Sequence, residues 1–146
     1  MKRVFILDRS GSMISCVDDT IGGYNAFVED QKSLGGHMSL YLFDHEIVEV
    51  YKDKPIEEVE PLTRADYVPR GSTALFDTIG HVVTNSNITD TTSVVILTDG
   101  AENASSKYSG AAVKDLVNMF TAKGTTFLYL GAVSYTHLTL PTKRIV

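Results

Sequence analysis

The sequence predicts an α/β fold with a mainly parallel central sheet covered by helices on both faces. Short apolar runs rich in branched residues recur along the chain, as buried strands require. Segments with apolar residues at helical spacing separate most of these runs. Only one pair of runs is joined by a connection too short for a helix. The pattern therefore predicts alternating strands and helices with one antiparallel edge hairpin.

The first predicted strand covers residues 3–8, where the run VFIL ends in an aspartate. Four further strands are expected at residues 38–43, 47–51, 93–98 and 125–130. The second and third strands are separated only by Asp44-His45-Glu46, which predicts a hairpin. Residues 52–69 are polar and contain prolines, so we expect mostly loop there.

Three helices are expected, at residues 17–34, 73–84 and 111–123. In each of them, apolar residues recur at helical spacing and would face the sheet. Asp18 and Asp19 would lie near the positive end of the first helix, and Gly35-Gly36 would end it. Its apolar face would comprise Ile21, Tyr24, Phe27 and Val28.

The length and composition indicate one ordinary globular domain. The chain has 146 residues, of which 43% are hydrophobic and 21% charged. A formal charge of -5 does not indicate a basic surface, so we expect no nucleic-acid partner. Cys16 is the single cysteine, which fits a reducing compartment. No apolar run approaches the roughly 20 residues of a membrane helix. We therefore expect a cytoplasmic protein without a membrane partner.

The composition changes abruptly at residues 133–146, which read VSYTHLTLPTKRIV. Residues 133–142 can be encoded by an uninterrupted in-frame reading of a common transposase sequencing adaptor. We therefore interpret 133–146 as a non-native, adaptor-derived tail and 1–132 as the domain, and we exclude the tail from the fold prediction. The alternative is a short edge strand with a polar tail.

Three polar clusters are predicted at the carboxyl ends of strands or just before a helix. They are Asp8-Arg9-Ser10-Gly11-Ser12, Arg70-Gly71-Ser72-Thr73 and Thr98-Asp99-Gly100. Ligand sites of open parallel sheets lie beyond the carboxyl ends of the strands. The clusters are therefore expected to meet in one site. Each residue also has a purely structural interpretation, as a turn residue or, for Thr73, as a helix N-cap.

The fragments FILDRSGSM, GSTAL and VVILTDG occur in an order and spacing that resemble von Willebrand factor A domains. The resemblance covers residues 3–130 and is strongest to stand-alone bacterial members. It implies a Rossmann-like α/β fold and a metal-ion-dependent adhesion site. In that site Ser10 and Ser12 would coordinate the ion, Thr73 would bind it directly or through water, and Asp8 and Asp99 would supply negative charge.

The resemblance also implies the ion and the partner. Hydroxyl and carboxylate ligands suit Mg²⁺, or Mn²⁺ or Ca²⁺, whereas zinc favours histidine and cysteine. His37, His45, His81 and His137 are scattered in the sequence, which disfavours a zinc cluster. The function implied is protein binding without catalysis, in which an acidic side chain of a protein partner completes the ion's coordination.

Two alternatives remain open at this stage. One is an aspartate-based phosphoryl-transfer enzyme with Asp8 as acceptor, although Ser10 stands where such enzymes carry a second acid. The other is a non-functional fragment, since family members usually add a strand and a helix after the position of Leu130. Among the remaining polar residues, Asp44, Glu46 and Glu102 are interpreted as solvated acids, with Glu102 and Asn103 as possible neighbours of the metal site. Cys16 is interpreted as an inert thiol.

Overall fold

A six-stranded, mostly parallel sheet forms the centre of the computed structural model, which describes residues 1–100, 102–131 and 143–145. Its strands lie in the order β3-β2-β1-β4-β5-β6. Only β2 and β3 pair antiparallel, as the short connection between them predicted. The strands are β1 Lys2–Asp8, β2 His37–Phe43, β3 Ile47–Pro55, β4 Thr92–Thr98, β5 Thr126–Gly131 and β6 Lys143–Ile145.

Helices cover both faces of the sheet, which confirms the predicted fold class. Helix α1 (Val17–Lys32) packs on one face, and α2 (Leu75–Asn85) and α3 (Gly110–Ala122) pack on the other. Short 3₁₀ helices occupy Gly11–Cys16 and Ile56–Glu58. Within the described residues, no helix combines the length and apolar character needed to span a membrane.

The central strand β1 is apolar on both sides because both of its faces are covered. Phe5 and Leu7 belong to the core beneath α1, whereas Val4 and Ile6 belong to the core beneath α2 and α3. All four side chains are fully buried. A continuous run of apolar residues, rather than alternation, is the pattern expected of such a strand.

The loop prediction for residues 52–69 was wrong at its start. Strand β3 continues to Pro55, and the chain then forms the 3₁₀ turn. Residues 52–55 stay in the strand because Lys54 and Pro55 pair with Met38 and His37 of β2. The remainder of the segment is partly buried, because apolar residues are spread among its polar ones. Ile56, Val59, Leu62 and Tyr67 are all buried in the core beneath α1. Their spacing has neither helical nor strand period, so a periodicity argument does not detect them.

The far edge of the sheet differs from the sequence-based expectation. The resemblance implied that the family's last strand and helix are missing after Leu130, yet β6, from the segment interpreted as adaptor-derived, pairs in parallel with β5. The unpaired backbone groups of an edge strand provide the hydrogen-bonding partners for such an addition. Among the described residues no helix follows β5. The proposed adaptor origin of residues 133–146 stays a prediction, and most of that segment lies outside the described residues.

The parallel arrangement places three loops at one edge of the sheet. Strand β1 lies between β2 and β4 and runs parallel to both. Asp8 is in register with Phe43, and Leu7 with Leu97. The chain therefore leaves β1, β2 and β4 at nearly the same level. The polar clusters that follow β1 and β4 become neighbours as predicted.

Candidate metal centre

The loop after β1 holds Asp8 and the two serines in a compact turn. Asp8 is fully buried, and its Oδ1 accepts a hydrogen bond from the Ser10 backbone N–H at 2.7 Å. This contact fixes the turn because an aspartate side chain readily bonds the backbone two residues on. The hydroxyl oxygens of Ser10 and Ser12 then lie 3.2 Å apart. The turn brings the two predicted hydroxyl ligands together.

The second loop, residues 70–73, is joined to the first by two backbone hydrogen bonds. Gly11 N donates to Gly71 O at 2.9 Å, and Arg70 N donates to Arg9 O at 2.8 Å. Gly71 has a φ of 71°, and a Cβ added there would lie 2.5 Å from Nδ1 of His45. Glycine is therefore required at this position for both conformation and space.

Thr73 is nearly fully buried and connects the second loop to the third. Its backbone N–H donates to Oδ1 of Asn103 at 2.8 Å, and its carbonyl accepts from Asn103 N at 2.9 Å and from Ala104 N at 3.0 Å. Asn103, which the sequence suggested as a neighbour of the site, thus holds Thr73 through its backbone.

The end of β4 contacts Asp8 through Thr98. The Thr98 hydroxyl donates to Oδ2 of Asp8 at 2.7 Å, and it accepts from Gly100 N at 3.1 Å. Asp99 follows directly and is half-buried. Its negative charge contributes to the raised pKa of the Asp8 carboxyl. The structure therefore gathers Asp8, Ser10, Ser12, Thr73 and Asp99 at one edge of the sheet.

The electrostatics of this edge favour an added cation. Burial raises the pKa of the Asp8 carboxyl, and the charge of Asp99 raises it further, while hydrogen bonds from Ser10 and Thr98 oppose the shift. A buried carboxylate with a second carboxylate nearby resists ionisation unless positive charge is supplied. A bound divalent ion reverses that balance.

The donor set fits a hard cation such as Mg²⁺. Hydroxyl and carboxylate oxygens are its preferred protein ligands. Adjacent ligands of an octahedron with 2.1 Å metal–oxygen bonds lie about 3.0 Å apart. The distance of 3.2 Å between the hydroxyl oxygens of Ser10 and Ser12 is close to this value. These two hydroxyls can therefore occupy adjacent positions on one ion.

A second group of potential ligands follows β2 but is less suited to a cation. Oxygen or nitrogen atoms of Asp44, His45 and Glu46 lie within 4.8 Å of one another. However, Oδ2 of Asp44 already contacts Nε of Arg70 at 2.7 Å and Nε of Arg9 at 3.3 Å. These two guanidinium groups already supply the positive charge that a metal ion would bring. They would also repel a metal ion that approached Asp44.

Two sequence-based interpretations, those of Asp44 and Glu102 as solvated acids, need correction here. Asp44 is fully buried rather than solvated, because Arg9 and Arg70 neutralise it. Glu102 is also engaged: its carboxylate accepts from the backbone N–H of Phe76 at 2.9 Å and from Ser105 N at 3.0 Å. It stabilises the start of α2 and the third loop.

Two further residues touch Asp8. Thr98 belongs to a cluster that the sequence analysis singled out, although its contact with Asp8 was not foreseen. Tyr67, whose hydroxyl donates to the Asp8 carbonyl at 2.5 Å, lies in the segment predicted as loop and carries no sequence signal. Cys16 is buried, and burial raises the pKa of its thiol, in agreement with an inert side chain.

Comparisons with solved structures identify the fold, while neither family models nor curated protein sequences match this chain. Manganese-loaded TRAP protein from Plasmodium vivax aligns with a TM-score of 0.66 and 17% identity, over 94% of this chain and 59% of TRAP. The von Willebrand factor type A structure from Catenulispora acidiphila aligns with a TM-score of 0.60 and 16% identity, over 89% of this chain and 32% of that one.

The pilus adhesin SpaC from Lactobacillus rhamnosus GG is also similar, with a TM-score of 0.62 and 14% identity over 90% of this chain and 24% of the adhesin. Identities this low establish the fold alone. The chain spans only part of each of these structures. The class of protein is thus an α/β domain whose polar loops meet at one edge of the sheet. More particularly, its fold is that of a von Willebrand factor A domain, as the sequence resemblance implied.

Proposed function

We propose that this chain is a divalent-cation-dependent protein-binding module whose cation site is formed by Asp8, Ser10, Ser12, Thr73 and Asp99. The single observation that carries the proposal is the pair of Ser10 and Ser12 hydroxyls, 3.2 Å apart in a turn that the buried carboxylate of Asp8 fixes. Ser10 and Ser12 would hold the ion through their hydroxyls, with Thr73 completing the protein ligands directly or through water. Asp8 and Asp99 would balance its charge.

The cation, Mg²⁺ or alternatively Mn²⁺ or Ca²⁺, would supply an attachment point for a carboxylate. An acidic side chain of a protein partner would then complete the coordination. Two proteins of similar fold support this proposal: TRAP has been solved loaded with manganese, and SpaC is a pilus adhesin. We also propose binding rather than catalysis and a reducing, cytoplasmic location, the latter from the single buried cysteine.

The surface beside the proposed site offers contact area for such a partner. A cleft of about 370 Å³ adjoins Thr73 through Ala74 and Ala104. His45, His81 and Lys107 also line it. A partner whose acidic side chain reached the ion would lay its flanking residues in this cleft, where specificity beyond the metal bond would arise.

The ion is tested first, by thermal unfolding with and without millimolar Mg²⁺ or Mn²⁺. We expect the ion to raise the melting temperature, because a ligand that binds only the folded state stabilises it. Asp8→Ala should abolish the rise. Asp115→Ala, which removes an exposed acid on α3, should keep it. An equal rise in both variants would contradict the proposed site.

The partner is tested by affinity capture with and without a chelator. Proteins retained by the wild-type chain in Mg²⁺ should be released by the chelator and should not bind Ser12→Ala. A partner that also loses binding when its own acidic residue is replaced by the amide would support the proposal. Binding that is insensitive to chelator and to Ser12→Ala would contradict it.

A further inference from the structure

We propose that Asp44 is a positioning residue of the cation site. Its buried carboxylate, held between Arg9 and Arg70, fixes the two loops that carry Ser10, Ser12 and Thr73. This inference rests on the proposed function, because it concerns the affinity of the same site. Asp44 itself would not touch the ion.

The contacts of Asp44 reach both ligand loops. Arg9, which contacts Oδ2 of Asp44 at 3.3 Å, lies in the chain between the predicted ligands Asp8 and Ser10. Arg70, which contacts the same oxygen at 2.7 Å, starts the loop that ends in Thr73. One carboxylate oxygen therefore joins two segments that are 61 residues apart in the sequence.

The backbone strengthens the same connection. The carbonyl of Asp44 accepts a hydrogen bond from Ala74 N at 2.8 Å, directly after Thr73. Arg9 N donates to the carbonyl of Phe43, the residue before Asp44, at 2.7 Å. Asp44 thus sits where the ends of β1 and β2 and the start of α2 converge. The loop of Thr73 is tied to Asp44 by backbone and side chain, whereas the loop of Ser10 is tied to it by the Arg9 side chain and to its neighbour Phe43 by backbone.

The burial of Asp44 makes this arrangement specific. Its side chain is fully buried, whereas the side chains of Arg9 and Arg70 are 16% and 50% exposed. Oδ2 accepts no well-directed hydrogen bond, so its partners are these two charges. A buried carboxylate that loses such partners is strongly unfavourable, which restricts the positions that both arginines can adopt.

Positioning and simple electrostatics make opposite predictions for one variant. Arg70→Gln removes a positive charge near the proposed cation. If charge alone mattered, a divalent ion would bind more tightly. If Arg70 acts through Asp44 to hold the loop of Thr73, the ion should bind more weakly. Residues that orient metal ligands typically contribute 10- to 100-fold to metal affinity.

The experiment is a Mn²⁺ titration of the full chain followed by electron paramagnetic resonance of the free ion. The proteins are wild type, Asp44→Asn, Arg70→Gln and Glu46→Gln. We expect the Kd for Mn²⁺ to rise about 10- to 100-fold in Asp44→Asn and about tenfold in Arg70→Gln. Glu46→Gln is the matched control because Glu46 is exposed and contacts Arg70 at 2.7 Å but not Arg9. Its Kd should change less than about threefold, as expected for a screened surface charge.

Thermal unfolding in chelator establishes that each variant is folded at the temperature of the titration. A merely structural role would lower the melting temperature while leaving the Kd of the folded protein unchanged. If Asp44→Asn does not fold, the test rests on Arg70→Gln. The Arg70 side chain is half exposed, so its replacement should disturb folding less.

The outcomes separate the two proposals. No Mn²⁺ binding by wild type would overturn the proposed function and this inference with it. Tight binding by wild type with an unchanged or lower Kd in Arg70→Gln would overturn the inference and leave the proposed function standing. Equal weakening in Asp44→Asn and Glu46→Gln would also overturn it. A raised Kd in Asp44→Asn and Arg70→Gln alone would support it.

Discussion

Asp8 ends β1 and Asp44 directly follows the neighbouring parallel strand β2, and both form the same local turn, yet their environments differ. In both, Oδ1 accepts a hydrogen bond from the backbone N–H two residues later at 2.7 Å. Both side chains are fully buried. Oδ2 of Asp44 contacts two arginines, whereas Oδ2 of Asp8 accepts from the neutral hydroxyl of Thr98.

The difference shows that the same aspartate turn can have a structural role at one strand end and a proposed binding role at the next. The charge of Asp44 is balanced within the chain, so it can act as a structural anchor. At Asp8, by contrast, the like charge of Asp99 opposes ionisation of the carboxyl. The hydrogen bonds that stabilise the ionised form come from Ser10 and Thr98. A divalent ion would supply the missing positive charge at Asp8 but not at Asp44.

Removing both arginines should destabilise the fold most. Arg9→Gln combined with Arg70→Gln leaves the Asp44 carboxylate buried without opposite charge, which should lower the free energy of unfolding by about 3 kcal/mol. Urea denaturation in chelator measures the change. Adding Asp44→Asn should restore most of the loss. A triple variant no more stable than the double one would refute the role of the two arginines.

Gly71→Ala should cost about 2 kcal/mol, because alanine is strained at positive φ. In addition its Cβ would displace the His45 ring. The loop that follows Arg70 would shift, and with it Thr73. Gly22→Ala is the control: it lies in α1 with nothing within 4 Å of an added Cβ, so it should be neutral or stabilising. Chemical denaturation of both variants measures the two effects.

Asp77 offers a third way to compensate a carboxylate, through backbone N–H groups. Although partial burial opposes the shift, hydrogen bonds from the N–H groups of Ser106, Tyr108 and Lys107 lower the pKa of Asp77. Asp77→Asn should reduce stability by about 1 kcal/mol at neutral pH. Because the folded-state pKa is lowered, the stabilisation is present above the usual aspartate pKa and is lost as the pH falls through the lowered value.

The stability difference between wild type and Asp77→Asn should therefore vanish in acid. Denaturation at a series of pH values measures it. Asp115→Asn, on the exposed side of α3, is the control and should show no comparable dependence. A difference that persists unchanged at low pH would show that the amide donors do not act on the ionised carboxylate.

The smallest expected effect is a gain in stability. In chelator, Asp8→Asn should raise the free energy of unfolding by about 1 kcal/mol, because it removes a buried charge kept for binding. Since the folded-state pKa of Asp8 is raised, its cost to stability appears as the pH rises above the usual aspartate pKa. The variant's advantage should grow over that range. Millimolar Mg²⁺ should reverse the order by stabilising wild type alone. A loss of stability in chelator would contradict the contrast with Asp44.

The sequence predicted the parts of this molecule that follow local patterns. The buried strand ending in Asp8, the edge hairpin after Phe43 and the face of α1 that carries Tyr24 and Val28 all follow from residue type and spacing. The meeting of the loops that follow β1 and β4 could be predicted because both are parallel strands that end at one edge of the sheet. The proposed roles of the five site residues as metal ligands stay predictions.

Contacts between distant segments could not be predicted in this way. Asp44 looks like a solvated hairpin residue because its two arginines lie 35 and 26 residues away in the sequence. The Tyr67 hydroxyl reaches the Asp8 carbonyl from a segment without regular period. Strand β6 forms because β5 has a free edge, which depends on the assembled sheet rather than on the sequence of residues 143–145 alone.

The most direct measurement is a crystal structure of the chain with Mn²⁺, with the ion located by its anomalous scattering. The proposed site predicts one peak about 2.2 Å from the hydroxyl oxygens of Ser10 and Ser12, near Thr73, Asp8 and Asp99. No peak should lie between Asp44, His45 and Glu46. A peak at that second group, or none beside the two serines, would contradict the claim that the cation binds at Ser10 and Ser12.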